Sequence, residues 1–333
     1  MKLDAADGRL LLSVLALLVG GWGILGWFDL AHETQAGFVT DGNHTVTQVY
    51  RGSPAQVAGL RPGDQMTHID GVAVEDAATI AHQARKKVGE VQRLAVASNG
   101  QTKELLITYG PLPQRELRLA HAALIVGFCY LLLPLLAFLR QPIEATRVLA
   151  MMGIGLSLAF MDGPYIAAFS MRALTAAITS LFVLFGVAAL LQFLLVFPQR
   201  RPWLQRPYGK KLLYLPAFAL WLLIAWRLLF TPAASPALNA LTSTLAGVIT
   251  GSYFLLSLFQ VLRNYSRTDQ AQRQALKINS MLLGTVAALV PVTIAQLVAA
   301  FSPQSALPGQ DYYFITLALI PLSWARSARL ADG

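Results

Sequence analysis

The sequence predicts a polytopic α-helical membrane protein of about eight spans, with one small α/β domain between the first and second spans. Three observations predict this fold class. Of the 333 residues, 55% are apolar and 13% are charged, whereas about 25% are charged in a typical soluble domain. Eight apolar stretches approach the roughly 20 residues that a helix needs to cross a bilayer. Between residues 29 and 113, polar residues, glycine and proline interrupt short apolar runs instead.

The apolar stretches define the predicted spans and the domain boundaries. The first covers residues 10–28 and carries no charge, which favours an uncleaved signal anchor over the alternative, a cleaved signal peptide. The others are residues 119–139, 148–168, 173–197, 212–230, 238–262, 278–301 and 312–325. Asp162 interrupts the third, and the eighth is the shortest. We therefore assign residues 1–30 to the anchor, 31–113 to the soluble domain and 114–333 to a seven-span helical membrane domain.

The distribution of Lys and Arg predicts the orientation. With the N-terminus inside, the inside segments hold fifteen basic residues and the short outside loops hold one, Arg172. We therefore expect a multi-pass protein of the bacterial inner membrane, with both termini cytoplasmic and the soluble domain in the periplasm. The net charge of +9 then reflects orientation in the lipid bilayer. It does not indicate a nucleic-acid partner, because a nucleic-acid-binding surface would raise the charged fraction.

Local patterns predict the elements of the soluble domain. Residues 45–50 alternate as a strand, and Ser53 and Pro54 suit the N-cap and first position of a short helix. Gly59 suits the C-terminal end of this helix, where a residue with left-handed backbone is favoured. The later elements are a strand over residues 66–70 closed by Asp70-Gly71, a helix over 76–88, and a hairpin of 94–97 and 105–109 around Asn99-Gly100.

Residues 49–74 resemble the core of bacterial PDZ domains. The matching residues are Gly52, Ser53, Pro54, Ala55, Ala58, Gly59, Leu60, Gly63, Asp64, Ile69, Asp70 and Gly71. In such domains a peptide adds as a strand to an exposed sheet edge beside a helix, and its C-terminal carboxylate meets backbone N–H groups. The resemblance implies a groove formed by Gly37, Phe38, Val39 and Ile80. The alternative is that the glycines and prolines only shape turns and that the domain binds no peptide.

Motifs for catalysis are missing from the sequence. His32-Glu33 is followed by Thr34, Gln35 and Ala36, so the second histidine of an HExxH zinc-protease motif is absent. The spans lack a GxSG loop of the intramembrane serine-protease type, and there is no phosphate-binding glycine loop. The single cysteine, Cys129, excludes an internal disulfide and a thiolate metal cluster. We therefore expect no enzyme activity, no cofactor and no metal site.

Two ionisable residues inside predicted spans, Asp162 and Arg227, are candidates for an intramembrane pair. Such residues often mark an ion or substrate path. Both lie near the outer ends of their spans, so the alternative is that each side chain extends to the lipid head groups. A transporter is retained as a third hypothesis for function, although a proton-coupled carrier would need an acid deeper in the bundle.

The arrangement of one span, a PDZ domain and seven further spans resembles the membrane input module of ComP-like sensor histidine kinases. The segments LQFLLVFP (191–198), RTDQAQRQAL (267–276) and LIPLS (319–323) carry this resemblance. It implies a sensor module that binds a periplasmic peptide or protein C-terminus and signals through the helix bundle. We expect no phosphoacceptor helix or ATP-binding domain in this sequence, so either a separate cytoplasmic signalling partner supplies the output or the module works by binding alone. The alternative is a scaffold or adaptor for an envelope protease or assembly factor.

Overall fold

The helices of the computed structural model follow the apolar stretches of the sequence. The structure describes residues 5–41, 44–74, 85–98, 100–206, 208–230, 236–301 and 309–330. Helix α1 (Ala5–Asp29) precedes a small β domain, and α2 is a four-residue helix (Pro54–Val57) within that domain. The bundle continues with α3 (Gln114–Arg140), α4 (Glu144–Ser157), α5 (Phe169–Val196), α6 (Gly209–Phe230), α7 (Pro236–Arg267), α8 (Gln270–Ala275), α9 (Ile278–Phe301) and α10 (Leu319–Ala328).

Six of these helices have the length and composition of membrane spans within the described residues. They are α1, α3, α5, α6, α7 and α9, and they coincide with six of the eight predicted stretches. Many of their large apolar side chains point away from the protein, such as Leu17 on α1 and Leu255 on α7, which are 75% and 71% exposed. An apolar surface of this extent is unusual on a soluble monomer.

The third predicted span, residues 148–168, is not a continuous helix, so this prediction is wrong in its second half. Helix α4 has only 14 residues and is about 21 Å long, which is shorter than the roughly 30 Å of a bilayer core. The chain nevertheless runs from one end of the bundle to the other. Glu144 pairs with Lys210 (2.7 Å) at one end, and Tyr165 N–H donates to Asp29 Oδ2 (2.8 Å) at the other.

Packing explains why a non-helical segment follows α4. The side chain of Met161 fills the space over Gly23 on α1 and Gly127 on α3, while the Gly163 backbone lies against the Trp22 ring. Met161 is 2% exposed. Irregular backbone at membrane depth is tolerated where other protein segments enclose it.

The eighth predicted span is also broken. Its first part is a 3₁₀ helix (Gln310–Ala318) and its second part is α10. At 2.0 Å per residue for the 3₁₀ part and 1.5 Å for α10, the two together reach about 33 Å. Asp311 pairs with Arg115 at the start of α3, and Ser327 Oγ donates to Lys277 O (3.2 Å) just before α9. This segment therefore also joins the two ends of the bundle.

Helix α4 lies at the centre of the bundle because glycines allow its neighbours to approach closely. A Cβ on Gly155 would overlap Phe182 O and lie 2.6 Å from Gly186 Cα, both on α5. On another face, a Cβ on Gly153 would overlap Tyr130 O of α3. Small residues at helix contacts are the usual means of close packing in membranes.

Within its described residues, the β domain has three antiparallel sheets. Strands β4 (Gln65–Ile69), β5 (Val72–Ala73), β6 (Val91–Ser98) and β7 (Gln101–Thr108) form a four-stranded sheet in the order β5-β4-β6-β7. The β2 strand (Phe38–Thr40) pairs with β3 (Val46–Val49), and β1 (Thr34–Gln35) pairs with β8 (Gly110–Pro111). The last pair joins the points where the chain enters and leaves the domain.

A small apolar core holds the domain together. Along most of β6 every second residue is buried, because successive side chains of a strand point to opposite faces. The buried residues of the core are Val46, Ala55, Leu60, Met66, Ile69, Leu94, Val96 and Ile107, none more than 7% exposed. Removing a side chain such as Leu94 from a core of this kind costs about 2–5 kcal/mol.

Candidate peptide-binding site

The outer edge of β2, where the resemblance places the peptide groove, is one edge of the domain that can receive another strand. Among the described residues β2 pairs with β3 alone, in the register Phe38↔Val49. The Gly37 carbonyl accepts from Tyr50 N–H (2.8 Å) and therefore points toward β3. Peptide groups alternate in direction along a strand, so the N–H and C=O of Phe38 point to the opposite edge. The Phe38 ring packs on the domain core, whereas Val39 is 40% exposed.

Gly37 fixes the start of this edge through a contact that only glycine allows. Its φ is +85°, in the left-handed region that other residues rarely adopt. A Cβ at this position would overlap the Ser53 side chain. Ser53 Oγ donates to Gly37 O (3.1 Å), and Ala55 N–H donates to Ala36 O (2.8 Å). The turn before β2 is therefore held against the beginning of α2.

The residues that resemble the PDZ core have the local structure that the sequence predicts. Ser53 is the N-cap of α2, its Oγ accepts from Gln56 N–H (3.3 Å), and Pro54 is the first helical residue. Asp64 Oδ2 accepts from Arg61 N–H (2.9 Å) and closes the turn before β4. Left-handed backbone occurs at Gly52, Gly59, Gly63, Asp70 and Gly71. Ala55 and Leu60 are buried, and Ala58 is the C-cap of α2.

The groove helix predicted over residues 76–88 is only partly within the described residues. Ile80, the groove residue predicted on it, lies outside them, and its role stays a prediction. Residues 85–88 are described and are not helical, so a helix extending to Val88 is wrong. Two contacts explain this: Thr34 Oγ1 donates to Lys86 O (2.6 Å), and Lys87 N–H donates to Glu90 Oε2 (2.9 Å).

The Asp70 carboxylate organises the polar side of the domain. It accepts from Arg93 N–H (3.0 Å) and from the Gln92 amide (3.4 Å), and Lys86 Nζ lies 3.5 Å away. Burial raises the pKa of Asp70, but these donors outweigh burial and hold the pKa below its ordinary value. Tyr109 completes the cluster by donating to Gln92 Oε1 (2.7 Å).

Arg85 connects the β domain with the helix bundle. Its guanidinium lies 2.7 Å from Asp29 Oδ2 and 3.3 Å from Glu33 Oε1, and it covers the Tyr165 ring at 5.0 Å. Its backbone N–H donates to Tyr165 Oη (2.9 Å). Arg172 of α5 approaches the same ring at 5.5 Å. We call Asp29, Glu33, Arg85, Tyr165 and Arg172 the junction cluster.

Sequence reasoning missed the junction cluster. Arg85 and Tyr165 are 80 residues apart, and no motif joins them. The available signal was limited to two acids, Asp29 and Glu33, beside the outer end of the first predicted span. Burial raises the pKa of the Glu33 carboxyl above its ordinary value, although Arg85 opposes this.

The structure gives Asp162 and Arg227 separate surroundings. The Asp162 backbone lies against Gly26 of α1, and Arg227 of α6 donates to Asn239 Oδ1 of α7. The predicted pair therefore stays a prediction. Within the described ranges, no group of three or more His, Cys, Asp or Glu side chains could hold a metal ion.

Comparison with known proteins agrees with the geometry of the β domain. The sequence model of the PDZ domain family matches residues 45–108, so this part of the chain is a PDZ domain. A protein of Synechocystis sp. described as "Putative serine protease HhoB" is 31% identical over 83 residues. The match covers 25% of this chain and 20% of that relative. The chain therefore spans a fifth of the length of the curated relative.

Proposed function

We propose that this chain is a non-catalytic membrane module whose PDZ domain binds the free C-terminus of a peptide or protein and relays binding to the helix bundle. One observation carries the proposal: in the part of the chain that the structure describes, the edge of β2 away from β3 has no partner strand, and it begins at Gly37, in a turn that glycine alone can form. Strand addition at such an edge supplies main-chain hydrogen bonds, and the N–H groups of the turn can receive a carboxylate.

The proposed location is the bacterial inner membrane, with the PDZ domain in the periplasm. Six apolar helices of spanning length support embedding in a membrane. The charged side chains at the two ends of the bundle support the orientation. At one end, Asp29 forms an ion pair with Arg85 of the PDZ domain. At the far end, Glu144 pairs with Arg200 (3.1 Å) and Lys210. Basic residues at the end away from the domain fit a cytoplasmic position for that end.

The proposed relay passes through residues 85 and 86. Lys86 contacts Asp70 and Glu90 inside the PDZ domain, each at 3.5 Å. The adjacent Arg85 contacts Asp29 and Tyr165 of the bundle. A peptide that shifts this segment would change the junction cluster, because neighbouring residues of one short segment bind the two parts. Such a ligand needs only a different affinity for two arrangements of the bundle.

A scaffold or adaptor for an envelope protease is the second candidate function. The similarity to a protein described as a putative serine protease favours this function, since the similar segment of that relative belongs to a protein described as a protease. In this version peptide binding leaves the bundle unchanged.

Peptide binding by the full chain in lipid nanodiscs tests the proposal. We expect a library of peptides with random C-termini to yield binders whose affinity falls at least tenfold when the terminal carboxylate is amidated. A library without binders would refute peptide recognition. Hydrogen exchange at residues 158–168 then separates the two functions: a change upon peptide addition supports the relay, and an unchanged rate with bound peptide supports the scaffold.

A further inference from the structure

A groove between α3, α9 and α10 lies at the end of the bundle away from the PDZ domain. Its volume is about 560 Å³, and it opens on the outer surface of the bundle. The walls are largely aliphatic, with Leu133 and Leu136 from α3, Leu283 and Ala287 from α9, and Leu322 from α10. Leu283 and Leu322 are 70% and 54% exposed, so no side chain of the described residues covers this apolar lining.

The same groove ends in a group of cations. Arg140, Arg326 and Arg329 line both the groove and an adjoining cavity of about 450 Å³, which Lys277 also lines. None of these four residues forms an ion pair with a carboxylate of the described residues. By contrast, Glu144 at the same end of the bundle binds both Arg200 and Lys210. Among the described residues, the cation group therefore has no paired carboxylate, and it lies next to the apolar groove.

The floor of the groove is closely packed. The Trp324 indole N–H of α10 donates to Thr285 Oγ1 of α9 (2.9 Å). A Cβ on Gly284 would lie 2.5 Å from Ser323 Oγ, so the two helices are already in close contact below the groove. Ser323 Oγ donates to Leu319 O (2.8 Å) within its own helix. The lining thus offers an apolar wall along its length and charged donors at one end.

We propose that this groove binds an anionic phospholipid, with an acyl chain along the leucines and the phosphate among Arg140, Arg326, Arg329 and Lys277. Guanidinium groups bind phosphate through paired hydrogen bonds, and basic pockets between membrane helices suit acidic head groups. A polar ligand would leave the leucine wall unused, and a peptide strand would find few partners for its backbone groups there. The inference rests on the membrane embedding proposed above and is independent of peptide binding.

Lipid selectivity of the full chain in neutral detergent micelles tests the proposal. Dioleoyl phosphatidylglycerol and dioleoyl phosphatidylcholine have the same acyl chains and differ in charge. We expect the phosphatidylglycerol to bind at least tenfold more tightly in native mass spectrometry and to raise the thermal unfolding midpoint. Equal binding of the two lipids would refute the proposal. Equal binding of glycerol 3-phosphate would refute it as well, because the acyl groove would then contribute nothing.

Paired variants locate the lipid. Replacing two groove cations together (R140Q with R326Q) should lower the affinity for phosphatidylglycerol at least fivefold, while R267Q, at an exposed arginine of α7 outside the groove, should not. A287W should fill the groove and displace the lipid. V286W, at the neighbouring exposed position of α9, should leave the lipid bound. An unchanged affinity in both groove variants would overturn the assignment. If the chain stays in solution without detergent, the membrane embedding itself is wrong, which is a separate outcome.

Discussion

The Arg85 guanidinium lies 2.7 Å from the Asp29 carboxylate, and this contact joins the PDZ domain to the end of α1. The two residues are 56 positions apart. Asp29 Oδ2 also accepts from Tyr165 N–H, so the carboxylate holds the PDZ domain and the segment after α4 at the same point. The side chains of Arg85 and Asp29 are 17% and 25% exposed, and partial burial makes such a pair more than a solvated surface contact.

Replacing Arg85 tests this contact. A double-mutant cycle of R85Q and D29N, read as unfolding free energies of the full chain in micelles, should give a coupling energy of about 0.5–3 kcal/mol. The reference is the exposed pair Arg93–Glu104, separated by 3.9 Å, for which R93Q and E104Q should couple far less. Equal coupling in the two cycles would show that Arg85 is not a special link.

Replacing Gly37 tests the start of the β2 edge. Because G37A forces a Cβ into Ser53 at a left-handed position, we expect at least a tenfold loss of peptide affinity. Gly52 is the matched control, since its φ is also positive but a Cβ there meets no atom within 4 Å. G52A should therefore carry only the backbone strain of about 1–2 kcal/mol. Isothermal titration with the same peptide compares them, and similar affinities would contradict the role of Gly37.

The low pKa of Asp70 predicts how acid acts on the PDZ domain. A carboxyl whose pKa is lowered in the folded state stabilises the fold fully above its unfolded pKa, about 3.9, and this contribution disappears as the pH falls through the lower folded pKa. D70N should remove this contribution, so the variant should lose less stability than the parent between about pH 5 and pH 2. Asparagine tolerates the left-handed φ of +51° at this position.

Thermal unfolding of the β domain signal across this pH range is the measurement. E104Q removes one carboxylate from an exposed position, 66% accessible, and controls for the change in net charge. Parallel pH profiles of D70N and the parent would contradict the assignment to Asp70.

The glycine contact between α4 and α5 reverses the usual effect of an alanine substitution. In an open helix, replacing glycine by alanine stabilises by about 0.5–1 kcal/mol. We expect G247A on α7 to be stabilising in the same way, because a Cβ there meets nothing within 4 Å. G155A should instead destabilise, since its Cβ overlaps α5. The thermal midpoints of the two variants in micelles decide this, and a higher midpoint for G155A would contradict the close contact.

The sequence predicts those parts of the fold that depend on local chemistry. Six long helices follow from apolar stretches near 20 residues, and the α2 cap follows from Ser53 and Pro54 alone. The Asp70-Gly71 turn likewise needs only two residues with left-handed backbone. The edge of β2 is predicted through resemblance, because the segment around Gly37 carries few residues that mark its role.

The remaining features depend on residues that are distant in sequence. Hydropathy cannot show that Met161 fills the space over Gly23 and Gly127, so it extends the third span beyond the end of α4 at Ser157. The link from Arg85 to Tyr165 requires tertiary packing across 80 positions. The cations of the groove come from α3, the segment before α9 and α10, and only the folded bundle brings them together.

The pairing of β1 with β8 has a consequence for how the domain could be exchanged. Gln35 is opposite Gly110, and Thr34 is opposite Pro111, so the two connections to the bundle run side by side at a strand spacing of about 4.8 Å. A short turn could close the same gap, and so could any foreign domain whose termini are adjacent. Helices α1 and α3 would keep their own contact, in which Gly20 faces Leu131. The helix bundle can therefore carry a different binding domain in place of the PDZ domain.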